Sequence, residues 1–180
     1  MNNVKKSLVT GLVLAVFALI CGTLLAVVNY YTAPIIKSNQ VTEVDDETIK
    51  AVYPSYNTSD YKKTGIESDD KSIVAISSIS KDGEVVAFIY IINNAGRDGT
   101  ADDPALKIAV GVDSALKVTG WKFLVNKDTG AKKAGTFDFG MVGESSTDAF
   151  DSIAGSTDTS DCVKEVFDLA LQRAKADFLK

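Results

Sequence analysis

Residues 73–92 read IVAISSISKDGEVVAFIYII, and this stretch decides the fold of the larger part of the chain. Two runs rich in β-branched and aromatic residues flank the pair Asp82-Gly83. An Asp-Gly pair between two such runs is a strong signal for a β-hairpin. A second pair of runs, 106–112 and 117–125, is joined across Asp113-Ser114-Ala115. The four runs therefore predict two hairpins in one antiparallel sheet.

The C-terminal segment predicts an amphipathic helix that packs on this sheet. Its apolar residues recur at helical spacing and form one stripe: Val163, Val166, Phe167, Ala170, Leu171, Ala174 and Phe178. A helix packed on a sheet by such a stripe gives an α+β domain, which we place at 72–180. The segment 32–71 is predicted to be a linker with a short helix at 48–53, followed by a loop or ragged edge from 56.

An uncharged run of 30 residues, 7–36, lies near the N-terminus. Because a spanning helix needs roughly 20 apolar residues, we predict one transmembrane helix at 7–31. Lys5 and Lys6 lie in the preceding stub, 1–6, and basic residues tend to stay on the cytoplasmic side. The sequence thus predicts a single-pass protein of the cell membrane, with a cytoplasmic N-terminus and an extracytoplasmic domain.

Two alternatives to a retained anchor are weaker. A cleaved signal peptide has an apolar core of about 7–15 residues, which is shorter than this run. A lipoprotein signal at Cys21 would require a small residue before the cysteine, and Ile20 stands there.

Composition excludes several classes of function. Nineteen basic residues less Lys5 and Lys6 leave 17 against 24 acids, a net charge of −7 after the anchor, so nucleic acid is not an expected partner. The chain has no histidine, which removes Ser-His-Asp and Cys-His catalysis, histidine-ligated haem and the usual zinc sites. Cys21 lies in the predicted anchor and Cys162 in the domain, so we expect no disulfide between them.

Residues 154–160, Ala-Gly-Ser-Thr-Asp-Thr-Ser, precede the amphipathic segment directly. Small and hydroxyl residues there predict a tight loop that leads into the N-terminus of the closing helix. Free backbone N–H groups and the positive end of the helix dipole make such a place suitable for a phosphate. A purely structural interpretation is that Asp158, Thr159 or Ser160 is the N-cap of the helix and Gly155 closes a turn.

The segment 151–163 resembles the flavinylation segment of the FMN-binding domain family. This family includes the G-type subunit of the Rnf complex and the C-type subunit of the sodium-translocating NADH:quinone reductase. Its motif is Asp-x-x-Ser-Gly-Ala-Thr-x-Thr-Ser, and the matching residues here are Asp151, Gly155, Thr157, Thr159 and Ser160. Ala154 and Ser156 stand where Ser and Ala are usual, a small residue for a small residue.

The resemblance extends beyond the motif. A single anchor that ends in Tyr31-Thr32-Ala33-Pro34, the hairpin pairs and the closing helix are all similar to the G-type subunit. The family also has a loop, His-x-Glu-Thr-Pro-Gly, that borders the flavin. This chain has Asn126-Lys127-Asp128-Thr129-Gly130 there, which keeps the acid and the threonine and lacks the histidine and the proline.

The resemblance implies that flavin mononucleotide (FMN) is attached covalently through its phosphate to Thr157, with Thr159 as the alternative acceptor. The implied cofactor-binding residues are Thr157, Gly155, Ser156, Asp158, Thr159, Ser160, Asp128 and Thr129. It further implies an electron-transfer subunit of an Rnf-type ion-translocating ferredoxin:NAD oxidoreductase rather than a self-contained enzyme. Its partners would be the other membrane subunits and, during maturation, a flavin transferase.

The sequence supports three further interpretations, which concern the phosphate, the aromatic residues and the acidic loop. The backbone N–H groups from Thr159 to Asp161 are expected to face the phosphate. Aromatic residues at 121, 137 and 139 are either core or stacking partners for the flavin ring. The acids of 93–103 lack the spacing of a calcium loop, which favours a solvated loop and no metal site.

Two other functions also fit the sequence. One is a stand-alone extracytoplasmic FMN carrier. The other is a non-redox anchored binding module that has lost the flavin, which the departures at Ala154, Ser156 and Asn126 favour.

Overall fold

The computed structural model describes residues 2–39 and 44–179. Met1 of the predicted stub, residues 40–43 of the predicted linker and Lys180 lie outside the described residues. The chain forms two compact units, Met1–Gln40 and Val41–Lys180, and each is described by itself.

The first unit is one long helix, α1 (Asn2–Asn39). Within it, Gly11–Tyr30 has a mean hydropathy of 2.8, and every side chain of this window is exposed. At 1.5 Å per residue, 20 residues span roughly 30 Å, the thickness of a bilayer's hydrocarbon core. This is the one helix in the described ranges that is long and apolar enough to cross a membrane. It continues past residue 31, where the predicted transmembrane helix ends.

The second unit is built on a five-stranded antiparallel sheet with the strand order β1-β2-β3-β4-β5. Its strands are β1 (Tyr61–Ile66), β2 (Ile73–Lys81), β3 (Glu84–Asn94), β4 (Leu106–Asp113) and β5 (Val118–Asn126). Both predicted hairpins are present, and the Asp82-Gly83 turn has the positive φ angles, 52° and 88°, that a type I′ turn requires.

Helices cover both faces of this sheet, which gives an α+β fold as predicted. On one face, α4 (Thr157–Phe178) packs against alternate residues of β3, such as Phe88 and Tyr90. On the other face, α2 (Asp46–Val52) packs over β4 and β5, in one apolar cluster with the intervening residues of β3, such as Ile89. Burial on both faces explains why β3 is apolar almost throughout rather than alternating with polar residues. A short helix, α3 (Ala131–Ala134), lies between β5 and α4 along the chain.

The stripe predicted on the last helix is confirmed. The helical residues buried against the core are Val163, Val166, Phe167, Ala170, Leu171 and Ala174. Phe178, the last of the predicted stripe, is partly buried and lies edge-on to Phe88, with ring centroids 4.6 Å apart.

The sequence did not predict β1, which occupies part of the stretch expected to be a loop or ragged edge. It pairs with β2 alone and carries Lys62 and Lys63, as edge strands often do. Lys63 Nζ lies 2.9 Å from Asp46 Oδ1, which ties this edge strand to α2. Charged residues on an edge strand weaken the period-two pattern that identifies a strand.

The C-terminal end of α2 lies very close to the sheet. Thr119 Oγ1 donates a 2.6 Å hydrogen bond to the Val52 carbonyl, which satisfies one of the free carbonyls of the last helical turn. Two paired glycines, Gly111 and Gly120, lie beneath it. A Cβ on Gly120 would stand 2.7 Å from the Val52 oxygen, closer than any real contact of this kind.

The Gly120→Ala substitution is therefore expected to destabilise the domain by about 1–3 kcal/mol, because the added methyl meets backbone rather than a movable side chain. Urea unfolding of the full-length chain in detergent, followed by the fluorescence of its single tryptophan, Trp121, measures this change. Gly22→Ala is the control, since a methyl there meets nothing within 4 Å. A loss below about 0.5 kcal/mol would show that α2 can move away freely.

Candidate functional site

A cleft of about 250 Å³ lies at the N-terminal end of α4. It is lined by residues from three separate parts of the chain: Arg97, Thr129, Gly130, Gly155, Ser156, Thr157, Asp158 and Thr159. The structure thus brings together residues of the two segments that the sequence singled out, 126–130 and 154–160. It adds Arg97 and Gly130, which were not predicted as site residues.

The conformation of the loop before α4 is stabilised by Gly155 and by the buried Ser160. Gly155 has a φ of +76°, a left-handed conformation that glycine adopts without strain. Ser160, which is fully buried, accepts a 3.0 Å hydrogen bond from the Ile153 N–H and donates one of 2.9 Å to the Ser156 carbonyl. Ser160 is therefore a support for the loop and does not line the cleft.

The helix begins earlier than the sequence suggested. Its N-cap is Ser156, whose side chain makes no capping hydrogen bond, so the proposed caps at Asp158, Thr159 and Ser160 are wrong. The Ser160 N–H is bonded to the Ser156 carbonyl at 3.0 Å, which makes the expected row of free N–H groups from Thr159 to Asp161 wrong as well. In an α-helix that starts at Thr157, the free N–H groups are those of its first residues, 157–159.

The two candidate acceptor threonines have opposite surroundings. Thr157, the first residue of α4, is exposed at the cleft. Thr159 is only 2% exposed, and its hydroxyl donates a 2.6 Å hydrogen bond to Asp128 Oδ2. Residues two apart on a helix differ by about 200° around its axis, so one hydroxyl faces out and the other faces in.

Asp128 lies beneath the cleft and is 2% exposed. Besides the Thr159 hydroxyl, its carboxylate accepts hydrogen bonds from the N–H groups of Arg97, at 2.9 Å, and Asp98, at 3.1 Å. These three bonds satisfy a charge that would otherwise be costly to bury. Asp128 therefore joins the 94–98 loop, the 126–130 loop and the first turn of α4.

Thr129 makes the reciprocal contact on the rim. Its N–H donates to Asp98 Oδ2 at 2.6 Å, and its hydroxyl donates to the same oxygen. The hydrogen bond from the Thr129 hydroxyl is the main cause that lowers the pKa of Asp98. The two hydrogen bonds to Asp98 hold Thr129 at the edge of the cleft.

Two cationic side chains stand beside the cleft. Arg97 Nη1 lies 3.7 Å from Asp158 Oδ2 in an exposed pair that contributes little to stability. Lys133 Nζ lies 3.7 Å from the position that a Cβ on Gly155 would take. These charges, the free N–H groups and the exposed Thr157 hydroxyl fit a phosphate group.

The three aromatic residues that could have stacked on a flavin ring pack in or against the core: Phe139 is fully buried, and Trp121 and Phe137 are partly buried. Trp121 lies edge-on to Phe139 and Phe167, with ring centroids 5.3 and 6.0 Å apart. Phe137 packs on Phe139 at 5.2 Å. Among the described residues that line the cleft, none is aromatic. The residues of the cleft fit the phosphate end of a nucleotide better than a tricyclic ring.

The 93–103 segment is more than a solvated loop. Asn94 Nδ2 donates to the Cys162 carbonyl at 3.3 Å and to Glu165 Oε2 at 3.1 Å, so the segment is attached to α4. The Gly96 N–H donates to Asn94 Oδ1 at 2.8 Å, an Asx turn for which the Asn-x-Gly spacing was a signal in the sequence. In the parts of the chain that the structure describes, no group of three or more acidic, histidine or cysteine side chains could hold a metal ion.

Cys162 is partly buried on α4 close to this site, and burial, followed by Glu165 and three nearby aspartates, raises the pKa of its thiol above the usual 9.0. Because the thiolate is the reactive form, we expect slow alkylation. In a Cys21→Ser background, iodoacetamide at pH 8 should modify Cys162 more slowly than it modifies glutathione. Equal rates would contradict this prediction, and unfolding in urea should remove the difference.

A comparison with known families bears on the N-terminal unit. Residues 1–44 match the family model of the RnfG N-terminal region. The match contains all of α1 and confirms the resemblance to the G-type subunit of the Rnf complex that the sequence suggested. A search of curated proteins found no match for the chain.

The RnfG match and α1 together support membrane anchoring and a membrane protein similar to RnfG. The matched residues end at Val44, before α2 and more than fifty residues before the first residue of the cleft, Arg97. The match therefore supports α1 as a membrane anchor similar to that of RnfG. The function of the cleft must be inferred from its own geometry.

Proposed function

We propose that this chain is a membrane-anchored electron-transfer flavoprotein, the G-type subunit of an Rnf-type ion-translocating ferredoxin:NAD oxidoreductase. In this proposal FMN is bound covalently through a phosphoester on Thr157. The observation that carries it is the contrast between the two motif threonines: Thr157 is exposed in the cleft, and Thr159 is buried against Asp128.

The surroundings of Thr157 suit a phosphodiester, which keeps one negative charge. The N–H groups at the start of α4 and the positive end of its dipole favour an anion there. Arg97 and Lys133 add positive charge beside the cleft, while Asp158 partly offsets it. Gly155 and Ser156 let the backbone come close to the phosphate because they carry little or no side chain.

Attachment makes one phosphorus–oxygen bond, breaks another in the pyrophosphate of the donor, and moves one proton. The Thr157 oxygen forms a bond to the FMN phosphorus, and the hydroxyl proton leaves to a base on a flavin transferase. A flavin donor with a pyrophosphate linkage supplies the phosphoryl group, and its other half leaves as a nucleoside monophosphate. No oxidation state changes in this step. Once attached, the flavin would supply reversible electron transfer, while the chain positions it and sets its electrostatic surroundings.

The anchor indicates where in the cell the proposed flavin domain would lie. With Lys5 and Lys6 on the cytoplasmic side, the domain would lie outside the cytoplasm. A covalent link would retain there a cofactor that could otherwise diffuse away. Its partners would be the other membrane subunits of a redox-driven ion pump, and a flavin transferase during maturation.

The direct experiment is co-expression of the full-length chain with a flavin transferase, followed by intact-mass measurement of the purified protein. We expect the mass to increase by one FMN phosphoryl group and the protein to be yellow. Expression without the transferase is the control and should give the unmodified mass. An unmodified mass in both preparations would refute covalent attachment.

The size and lining of the cleft favour a second candidate, a non-redox binding module that has lost the flavin. The volume of about 250 Å³ falls below the usual range of 300–1,000 Å³ for ligand pockets, and the lining is polar. This candidate predicts a colourless protein even when the transferase is present.

A further inference from the structure

Two contacts close the Thr159 hydroxyl to modification. Its proton is donated to Asp128 Oδ2 at 2.6 Å. In addition, Gly130 lies against it so closely that a Cβ on Gly130 would overlap Thr159 Oγ1 and stand 2.9 Å from Thr159 Cβ. On this side of the hydroxyl there is no room for a phosphorus atom and its oxygens, and only 2% of Thr159 is exposed.

Asp128 is the residue on which both contacts depend. It precedes Gly130 by two residues in the same loop, so the carboxylate that accepts from Thr159 also holds the loop against the helix. Its other oxygen is fixed by the N–H groups of Arg97 and Asp98. Reorienting Asp128 would break three hydrogen bonds in a site that is 2% exposed, which makes spontaneous opening rare.

We propose that Asp128 is a positioning residue that holds the Thr159 hydroxyl inside the domain and thereby directs attachment of a flavin phosphate to Thr157. The inference rests on the proposed function for its covalent step and goes beyond it by assigning the choice between two hydroxyls to one carboxylate. Asp128 acts on the helix, and it touches neither the phosphate nor the acceptor oxygen.

Asp128→Asn tests this role with little change in shape. The amide oxygen can still accept from the N–H groups of Arg97 and Asp98. The NH₂ group that replaces Oδ2 cannot accept the Thr159 proton and can only donate to the hydroxyl oxygen. The bond to a charged carboxylate is thus replaced by a weaker neutral one, and the hydroxyl proton is released. Glu144→Gln makes the same chemical change at an exposed acid away from the cleft and is the matched control.

The first measurement is the position of the flavin in full-length chains co-expressed with the transferase. In the wild type and in Glu144→Gln, we expect flavin on Thr157 alone. In the Thr157→Val variant, we expect no flavin on any residue. The double variant Thr157→Val/Asp128→Asn should regain flavin, now on Thr159. Flavin on Thr159 in the single variant Thr157→Val, or none in the double variant, would overturn the role of Asp128 and leave the proposed function intact.

The second measurement, amide hydrogen exchange, does not depend on flavin. Asp128→Asn should increase exchange by about tenfold at residues 160–163, whose N–H groups bond to the carbonyls of the first turn of α4, while β4 stays protected. This is the effect of replacing a hydrogen bond to a charged group with a neutral one. If the wild type takes no flavin, the proposed function fails, and this measurement decides the inference alone. Faster exchange confined to residues 160–163 would support the positioning role, and unchanged exchange would overturn it.

Discussion

Thr157→Val is expected to abolish flavin attachment to the full-length chain, whereas Thr157→Ser is expected to retain it. Valine has nearly the shape of threonine and lacks the oxygen that would bond to phosphorus. Serine keeps that oxygen at the first position of α4, where the side chain is exposed. The expected effect is all or none, because the buried Thr159 cannot substitute for Thr157.

Intact mass and absorbance after co-expression with a flavin transferase measure this effect. Thr136→Val is the matched control, since Thr136 is an exposed threonine that does not line the cleft. It should take up flavin as the wild type does. Full flavin on Thr157→Val at a residue other than Thr159, or equal loss in Thr136→Val, would contradict the assignment of the acceptor.

Phe167→Ala is expected to cause the largest loss of stability, about 3–5 kcal/mol. Phe167 is fully buried on the stripe of α4, and its ring centroid lies 6.0 Å from that of Trp121 and 6.2 Å from that of Phe150. Truncation removes the ring from a packed cluster and leaves a cavity between helix and sheet. A loss of this size is a large part of the total stability of a domain, about 5–15 kcal/mol.

Urea unfolding of the full-length chain in detergent measures this loss through Trp121, which lies next to Phe167. Phe167→Leu, which retains part of the volume, should lose less and remains measurable if the alanine variant does not fold. Leu179→Ala is the control, because Leu179 is 81% exposed and should change stability by less than about 0.5 kcal/mol. A loss below about 1 kcal/mol for Phe167→Ala would mean that α4 does not depend on this ring.

The sequence predicted those parts of the fold that are set by local chemistry. Asp82-Gly83 identified the first hairpin because few residues other than glycine, asparagine and aspartate adopt a positive φ easily. The stripe from Val163 to Ala174 identified α4 because it repeats at the helical period. The position of α2 on the second sheet face was not predictable, since it depends on the room above Gly111 and Gly120.

The site was predictable in its segments and not in its contacts. The resemblance brought the 126–130 and 154–160 segments into one hypothesis, and the cleft does contain residues of both. The sequence did not reveal Arg97 or the bond between Asp128 and Thr159. Asp128 lies 31 positions from each of the other two, and only the packing of the loops brings them together. The N-cap was misplaced because Asp158, Thr159 and Ser160 all have good capping side chains.

The most direct test of flavin attachment at Thr157 is to locate the flavin within the tryptic peptide 134–164 of the co-expressed, full-length chain. This peptide contains four threonines, at positions 136, 147, 157 and 159, and fragmentation distinguishes them. We expect one FMN phosphoryl group, on Thr157. A flavin phosphate on Thr159, or a peptide that carries none although the transferase modifies another substrate in the same cells, would contradict it.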